Sequence, residues 1–341
     1  MKLLITGGAG FIGSNFAKYI LQRYPSYQII NVDALTYAGN LDNLNSLINN
    51  PNHTFVVGDI TDNKKMMELV GEGVDVIVNF AAESHVDRSI VDPGIFIKTN
   101  IQGTQSLLEA ALKNKVSKFI QISTDEVYGS LGPRGLFTEN TPLNPNSPYS
   151  ASKAGADLLV RAYHETYNLP VNITRCSNNY GPYQFPEKLI PLMIFKAIAN
   201  EKLPLYGDGL NIRDWLFVED HCSAIDLVIH KGKAGEVYNI GGSNEQTNIQ
   251  LVKIILQELG KHEDLIMYVP DRLGHDRRYG IDPSKIMTLG WKANYNFNQG
   301  IKETIHWYLN NSTWYERIRS GNYKRHSYSE STDLELNSND E

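Results

Sequence analysis

The sequence predicts an α/β fold, in which a Rossmann-like doubly wound parallel sheet is accompanied by a smaller C-terminal lobe interleaved with it. Short apolar segments with strand character alternate with amphipathic helical segments through the first half of the chain. A glycine-rich turn joins the first strand to the first helix, and an acidic residue ends the second strand. These two features are typical of a dinucleotide site on an open sheet.

The composition is that of a globular protein without a surface for polyanions. Of the 341 residues, 41% are hydrophobic, and the formal net charge is -6, so nucleic acid is not an expected partner. The apolar run at residues 2–6 is too short for a signal peptide or a membrane span. Cys176 and Cys222 lie far apart, which indicates core packing in a reducing compartment. We expect a cytoplasmic protein with no metal site and no membrane partner.

The glycine-rich turn follows the first strand. Gly7, Gly10 and Gly13 have the spacing of a dinucleotide-binding turn, where glycines allow a tight bend, a close approach to pyrophosphate and close packing of the helix. Backbone amides at the start of the next helix then face the phosphates. We expect cofactor contacts at Gly7, Gly10, Phe11, Ile12 and Gly13.

Carboxylates follow the second and third strands. Asp33 ends the strand at 28–33, where a carboxylate accepts hydrogen bonds from an adenosine ribose and repels a 2′-phosphate, which favours NAD over NADP. Asp59 is placed either to meet the adenine or to cap the following helix. The other contacts expected at this end of the cofactor are Leu35, Thr36 and Ile60.

The fourth strand, at 74–80, is almost continuously apolar and ends in small residues that let a cofactor lie against the backbone. Ala81 and Ala82 are therefore cofactor candidates, and Ser84 is a candidate for both cofactor and substrate. His85 is a substrate candidate, although a single histidine is more often structural. An amphipathic helix is predicted over 99–113, with Thr99 near the cofactor.

The fifth strand, at 119–123, leads into a group of reactive side chains. Thr124, Asp125 and Glu126 follow it directly, at the edge where open parallel sheets bind ligands. Tyr149 and Lys153 lie one helical turn apart on the next helix, which predicts an ammonium near the phenol. A tyrosine with a pKa of about 10 needs such a cation to act as a base at neutral pH. These five residues are the predicted catalytic group.

Together these motifs resemble the extended short-chain dehydrogenase/reductase superfamily and, within it, the dTDP-glucose 4,6-dehydratase family. The resemblance covers the chain up to Trp314 and is carried by Asp33 and by segments 7–13, 81–89, 124–129, 149–153, 177–182, 211–215 and 271–279. It implies NAD as cofactor, dTDP-glucose as substrate and a 4-keto-6-deoxy sugar nucleotide as product. It also implies a role in deoxysugar synthesis, for example of rhamnose precursors.

The resemblance assigns a role to each predicted catalytic residue. Tyr149 removes the proton of the hydroxyl on carbon 4, Thr124 hydrogen-bonds that oxygen, and Lys153 bridges to the cofactor ribose. Glu126 then removes the hydrogen on carbon 5 while protonated Asp125 donates to the departing hydroxyl on carbon 6, since this elimination needs one base and one acid. Adjacent carboxyls can hold opposite protonation states because two like charges resist ionising together.

Asp125 separates this interpretation from its alternatives. The 4-epimerases of similar fold need no acid and base beside carbons 5 and 6. The decarboxylases and GDP-mannose dehydratases of this superfamily usually have a sequence like Thr-Ser-Glu at the positions of Thr124, Asp125 and Glu126. Another nucleotide-sugar 4,6-dehydratase remains an alternative, as does a sensor that binds a dinucleotide without catalysis. Loss of Asp125, Glu126, Tyr149 or Lys153 would indicate a sensor, and all four are present.

The residues after Cys176 are expected to form most of the sugar-nucleotide site. Asn178 and Asn179 are placed to bind substrate and to orient the nicotinamide, and guanidinium groups such as Arg213 can grip phosphate. Lys188 equally fits a solvated helix side chain, and Asn248 a helix cap. The predicted substrate contacts are Ser84, His85, Thr124, Asn178, Glu187, Lys188, Leu189, Pro204, Tyr206, Arg213, Asn248, Arg272 and His275.

The predicted domains interleave. An NAD-binding domain spans 1–177, with 215–242 returning to it, and a substrate-binding lobe spans most of 178–325. Residues 326–341 contain no Lys or Arg and many polar and acidic residues, which predicts a disordered tail. The resemblance also implies a homodimer joined through the helices that carry Thr99 and Tyr149.

Overall fold

The computed structural model describes residues 1–271 and 275–324. The predictions for Arg272 and for the tail at 326–341 therefore lie outside the described residues. The predicted fold class is confirmed, because a large parallel sheet is flanked by helices and two smaller sheets belong to the C-terminal half. In the part of the chain that is described, every helix is too short or too polar to span a bilayer.

The large sheet has seven parallel strands in the order β10-β6-β5-β4-β1-β2-β3. Its strand order reverses between β1 and β4, and a crevice for ligands forms at such a reversal, beyond the carboxyl ends of the strands. Most of these strands are apolar along their length because helices cover both faces. The strands are β1 Lys2–Thr6, β2 Gln28–Asp33, β3 His53–Val57, β4 Val76–Asn79, β5 Lys118–Thr124, β6 Val171–Cys176 and β10 Val237–Ile240.

The two smaller sheets hold the remaining strands. A three-stranded sheet has the order β11-β9-β7, and a two-stranded parallel sheet pairs β12 with β8. These strands are β7 Asn178–Tyr180, β8 Leu203–Tyr206, β9 Ile212–Phe217, β11 Glu245–Thr247 and β12 Ile266–Val269.

The helices cover these sheets and end the described chain. The α-helices are α1 Phe11–Arg23, α2 Asn63–Gly71, α3 Val86–Val91, α4 Pro93–Phe96, α5 Thr104–Lys113, α6 Pro148–Tyr167, α7 Leu189–Ile198, α8 Val218–Lys231, α9 Asn248–Glu258, α10 Ser284–Met287, α11 Phe297–Asn310 and α12 Ser312–Arg319. Short 3₁₀ segments lie at Leu41–Leu47, Asp125–Tyr128 and Glu263–Leu265, and a π-helical segment lies at Ile97–Gly103.

Of the four apolar clusters among the described residues, the three largest stabilise this arrangement. One lies under α1 and α8 on one face of the large sheet, and a second lies under α2, α5 and α6 on the other face. The third belongs to the C-terminal lobe, where α7, α9, α11 and α12 pack together, and it is rich in aromatic rings. Burial of these clusters removes apolar surface from water and fixes the carboxyl edge of the large sheet relative to the lobe.

The helix predicted at 99–113 begins earlier and is not α-helical throughout. The π-helical segment Ile97–Gly103 precedes α5. Within it the buried amide of Asn100 accepts a hydrogen bond from the backbone nitrogen of Glu83 and donates to the backbone oxygen of Glu83 and to Oγ of Ser152. π-Helical bulges often occur at functional sites, and this one ties the segment after β4 to α6.

The returning segment begins later than the predicted residue 215. Residues 215–217 belong to β9, because their backbone pairs with β7 and β11 in the three-stranded sheet. From Val218 onward, α8 packs on α1, and β10 pairs with β6 at the edge of the large sheet.

Candidate active site

The glycine-rich turn lies where neighbouring backbone leaves no room for side chains. Gly7 has a φ of +67°, and a Cβ there would lie 2.7 Å from the backbone nitrogen of Ala81. A Cβ on Gly13 would lie 2.4 Å from the carbonyl oxygen of Gly7. Glycine is therefore required at Gly7 by both conformation and space, and at Gly13 because α1 starts directly against the turn.

Asp33 ends β2 and faces this turn. Its Oδ2 accepts a hydrogen bond from the backbone nitrogen of Ala9 at 2.9 Å, and its Oδ1 accepts one from Leu35 at 2.8 Å. Burial raises the pKa of Asp33, and these backbone hydrogen bonds oppose the rise. The chain thus presents an oriented acceptor at the end of the strand.

A cavity of about 320 Å³ extends from this turn to the end of β5. It lies along the carboxyl edge of the large sheet, where the strand order reverses. Most of the predicted site residues line it: Gly7, Gly10, Phe11, Ile12, Gly13, Asp33, Thr36, Asp59, Ile60, Ala81, Ala82, Ser84, Thr99, Thr124, Asp125, Glu126, Tyr149, Lys153, Asn178, Asn179, Glu187 and Lys188.

The two adjacent carboxyls stand on a 3₁₀ turn that continues β5. Oγ1 of Thr124 caps this turn by accepting a hydrogen bond from the backbone nitrogen of Glu126 at 3.2 Å. Asp125 is 2% exposed. Its pKa is raised well above the usual value, first by burial and then by the charges of Glu126 and Asp214. This environment favours the protonated form of Asp125.

Tyr149 and Lys153 open α6, whose start is fixed by a capping box between Ser147 and Ser150. Burial, followed by the charge of Glu126, raises the pKa of the Tyr149 phenol well above its usual value, while a hydrogen bond with Thr124 opposes the rise. The Lys153 ammonium was expected near this phenol. It donates a hydrogen bond to the carbonyl oxygen of Ile122 at 2.7 Å.

A second polar cluster lies at the start of α7. A carboxylate oxygen of Glu187 is 3.6 Å from Nε2 of His85 and 3.8 Å from a guanidinium nitrogen of Arg88, and that guanidinium lies 3.7 Å from the centroid of the Tyr37 ring. Burial lowers the pKa of His85, and Glu187 opposes this. Of this cluster, only the Glu187 carboxylate lines the cavity.

Comparison with protein families gives a match over most of the chain. The sequence model described as GDP-mannose 4,6 dehydratase matches residues 4–304. A curated dTDP-glucose 4,6-dehydratase from Xanthomonas campestris pv. campestris is 54% identical over 341 residues, which cover 94% of this chain and 97% of the relative.

Solved structures give the same result. The dTDP-glucose 4,6-dehydratase from Bacillus anthracis, solved in complex with NAD, is 56% identical with a TM-score of 0.88, and the match covers 93% of this chain and 99% of that one. DesIV, a dTDP-glucose 4,6-dehydratase from Streptomyces venezuelae, was solved with NAD and the ligand TYD bound. It is 51% identical with a TM-score of 0.91, and the match covers 93% of this chain and 100% of that one. The chain belongs to the dTDP-glucose 4,6-dehydratase family.

Some of the predicted site residues do not line the cavity of this family member. The side chains of Leu35 and Leu189 pack against apolar cores. Pro204 and Tyr206 lie on β8, in the separate two-stranded sheet. The others outside the lining are His85, Arg213, Asn248 and His275.

Three of these outlying residues have partners within the chain. Arg213 donates hydrogen bonds to the carbonyl oxygens of Ile212 and Asp276, and its guanidinium lies 4.4 Å from the centroid of the Tyr279 ring. Nδ1 of His275 is 2.6 Å from a carboxylate oxygen of Asp271. Nδ1 of His85 accepts a hydrogen bond from the backbone nitrogen of Arg88 and so caps α3, which supports its structural interpretation.

The two open helix-cap alternatives are wrong. Asp62, rather than Asp59, caps α2 by accepting a hydrogen bond from the backbone nitrogen of Lys65, which leaves Asp59 in the cavity lining of this dehydratase-family fold. Thr247, rather than Asn248, caps α9 in a capping box with Gln250. Lys188 is not a purely solvated side chain either, because its ammonium donates to the carbonyl oxygen of Ser84 at 2.9 Å.

Sequence reasoning missed several residues that line the cavity of the family's fold. Cys176 was expected in the core; it is buried, yet it also lines the cavity, and its Sγ donates to the carbonyl oxygen of Ser123. Cys176 ends β6 and Ser177 follows it, so the strand-end rule used for β5 would have found both. The further lining residues that were missed include Ala38, Gly39, Glu83, Gln184 and Phe185.

Proposed function

We propose that this chain catalyses the NAD-dependent dehydration of dTDP-glucose to dTDP-4-keto-6-deoxyglucose. The observation that carries the proposal is the pairing of Asp125, whose buried carboxyl favours its protonated form, with the adjacent Glu126. Both line the same cavity as Tyr149 and the glycine-rich turn. Elimination of water needs an acid and a base beside carbons 5 and 6, whereas a 4-epimerase needs no such pair there and a sensor needs no acid or base at all.

The residues present fit NAD. The turn at Gly7 and Gly13 has no space for a Cβ, so bare backbone amides at the start of α1 are free to meet a pyrophosphate. Asp33 offers a carboxylate to the ribose and repels a 2′-phosphate. When bound, oxidised NAD supplies an acceptor for the hydride of carbon 4, the return of that hydride to carbon 6, and a positive charge that favours the Tyr149 phenolate.

The oxidation step uses the residues at the end of β5 and the start of α6. Tyr149 accepts the proton of the hydroxyl on carbon 4, and Thr124, which lines the same part of the cavity, hydrogen-bonds that oxygen. Lys153 contributes a buried cation beside β5. The product of this step is a ketone on carbon 4, which acidifies the hydrogen on carbon 5.

The elimination step uses the two carboxyls. Glu126 removes the proton from carbon 5, the electron pair forms the double bond between carbons 5 and 6, and the hydroxyl of carbon 6 leaves as water with a proton from Asp125. Hydride addition at carbon 6 and proton addition at carbon 5 then complete the 4-keto-6-deoxy sugar. Burial favours the protonated form of Asp125, which therefore acts as the acid, and the adjacent Glu126 acts as the base.

The test is conversion of the sugar nucleotide. Purified protein is incubated with dTDP-glucose and, in parallel, with UDP-glucose, and the 4-keto product is followed by its ultraviolet absorbance in alkali. We expect conversion of dTDP-glucose. Protein that binds NAD and converts neither sugar contradicts the proposal, and formation of the galactose epimer would indicate a 4-epimerase.

The setting of the reaction is also a proposal. Buried, unpaired Cys176 and Cys222 support a reducing compartment, and we place the protein in the cytoplasm, in deoxysugar synthesis such as that of rhamnose precursors. We also propose that the chain is divided into an NAD-binding domain and a substrate-binding lobe that interleave with each other. Apolar side chains exposed on neighbouring helices support a homodimer: Val91, Ile95, Ile97 and Leu158.

A further inference from the structure

One tryptophan joins the C-terminal lobe to the glycine-rich turn. Trp314, on α12, packs against Tyr183, Trp307 and Tyr308 in the aromatic core of the lobe. Its indole Nε1 donates a hydrogen bond to Oδ1 of Asn43 at 2.8 Å. Trp314 is 7% exposed and Asn43 is 1% exposed, so this bond is shielded from water. The indole ring of Trp314 therefore packs in the C-terminal lobe, while its N–H group donates to a residue beside the glycine-rich turn.

Asn43 continues the contact toward Asp33. Its Nδ2 donates to the carbonyl oxygen of Ala9 at 2.8 Å, and the backbone nitrogen of Ala9 donates to Oδ2 of Asp33 at 2.9 Å. Three buried hydrogen bonds thus connect Trp314 to the carboxylate that we assign to the cofactor ribose. Hydrogen bonds of this kind are stronger in a buried network than in water.

The C-terminal helix α12 and the residues after it also contact the segment that follows Asp33 and forms part of the cavity wall. Nε of Arg317 lies 2.8 Å from a carboxylate oxygen of Asp42, and the hydroxyl of Tyr323 donates to the carbonyl oxygen of Tyr37 at 2.7 Å. Residues 36, 38 and 39 line the cavity beside these contacts. Trp314 itself is not part of the lining.

We propose that Trp314 is a positioning residue for the cofactor: through Asn43 and Ala9 it fixes Asp33 and the adjacent cavity wall in the arrangement that retains the adenosine ribose. The inference rests on the proposed function, because it takes NAD as the occupant of the cavity at Asp33. The C-terminal lobe then contributes to cofactor retention without touching the cofactor.

The test compares matched Trp→Phe variants of the full chain. Trp314→Phe keeps the aromatic ring and removes the donor to Asn43. Trp291→Phe is the matched control, because Trp291 is also 7% exposed and its Nε1 donates to Oγ of Ser223, away from the cavity. The measurement is the rate at which bound NAD exchanges with isotopically labelled NAD, together with the melting temperature of each variant.

We expect Trp314→Phe to release NAD about three- to tenfold faster, since a buried acceptor is left unpaired beside the turn. Trp291→Phe should release NAD at the wild-type rate even where it lowers the melting temperature. Asn43→Ala should increase release, and adding Trp314→Phe to it should cause little further change, because both act on one series of bonds. The KM for the sugar nucleotide at saturating NAD should stay unchanged in Trp314→Phe.

The inference and the proposed function fail separately. If the two Trp→Phe variants release NAD at the same rate, the inference is wrong whatever the chemistry. If wild-type protein retains NAD and leaves dTDP-glucose unchanged, the proposed function is wrong and the exchange rates still decide the role of Trp314.

Discussion

The ammonium of Lys153 donates its hydrogen bond to the backbone carbonyl of Ile122, at 2.7 Å, and so joins α6 to β5. Burial lowers the pKa of Lys153, and the charge of Asp157, one turn along the helix, opposes this. Burial and the charge of Glu126 raise the pKa of the Tyr149 phenol well above its usual value. The protein's own groups thus keep the phenol protonated, and its ionisation requires added positive charge.

Replacing Lys153 should remove activity more than stability. In Lys153→Met we expect kcat to fall about 100-fold or more, because the phenolate loses the buried cation nearest along its helix. The control is Lys118→Met, whose ammonium also donates to backbone carbonyls, of Val228, Ile229 and Gly232, away from the cavity. That variant should lose stability and keep its kcat. Equal losses of kcat in both variants would contradict the role of Lys153.

The two carboxyls should fail at the same step in different ways. Asp125→Asn and Glu126→Gln should each lower dehydration about 10²- to 10⁴-fold, the usual contribution of a general acid or base. Asp125→Asn should still exchange the hydrogen on carbon 5 with solvent, because the base remains, whereas Glu126→Gln should not. Isotope exchange followed by mass spectrometry measures this difference. Glu139→Gln, outside the cavity lining, is the control.

Acid should destabilise the fold through His221. This side chain is fully buried on α8, with Nδ1 2.8 Å from Oδ1 of Asn179, and burial lowers its pKa to about 3. Below the unfolded pKa of 6.5 the unfolded chain takes up a proton that the folded chain cannot. The contribution of His221 to the free energy of unfolding is therefore fully present above that pH. It decreases by about 1.4 kcal/mol per pH unit as the pH falls toward 3.

Urea unfolding at several pH values measures this contribution. The slope of the wild-type free energy against pH should exceed that of His221→Gln over this window. His262→Gln, at a side chain 86% exposed, should retain the wild-type slope. Parallel curves for wild type and His221→Gln would rule out this explanation.

A buried ion pair should be costly to break. Nε of Arg175 lies 2.9 Å from Oδ2 of Asp157, and its NH1 donates to the hydroxyl of Tyr128 at 2.9 Å, with both charged side chains almost fully buried. Arg175→Met should lower the free energy of unfolding by about 3–5 kcal/mol, since it leaves Asp157 as an unpaired buried charge. Denaturant titration measures the loss, and the exposed Arg134→Met should show little change.

The dimer interface should respond to a charge on its apolar face. Leu158 on α6 and Val91 on α3 are 56% and 86% exposed, and the two helices pack against each other. Leu158→Glu should give monomers in sedimentation experiments, because a dimer would bury the new carboxylate. Ile48→Glu, at a side chain 67% exposed on another surface, should leave the assembly of the wild type unchanged. A wild-type protein that sediments as a monomer would contradict the proposed dimer.

The sequence determined the parts of this protein that depend on neighbours along the chain. The local pattern predicted β1, the glycine-rich turn at residues 7–13 and α1, and it predicted that Asp33 ends the second strand. The rule that ligands bind beyond strand ends placed Thr124, Asp125 and Glu126 at the carboxyl edge of the sheet. Each needs information from a few adjacent residues, so composition and spacing suffice.

The tertiary structure decided what depends on residues distant in sequence. The hydrogen bond from the Lys153 ammonium to Ile122 and the raised pKa of Asp125 follow from packing that brings together β5, α6 and β9. The hydrogen bond from Trp314 to Asn43 joins residues that are 271 positions apart in the sequence. Such contacts arise from burial of side chains against partners that no local pattern specifies, and they set the electrostatics on which the chemistry depends.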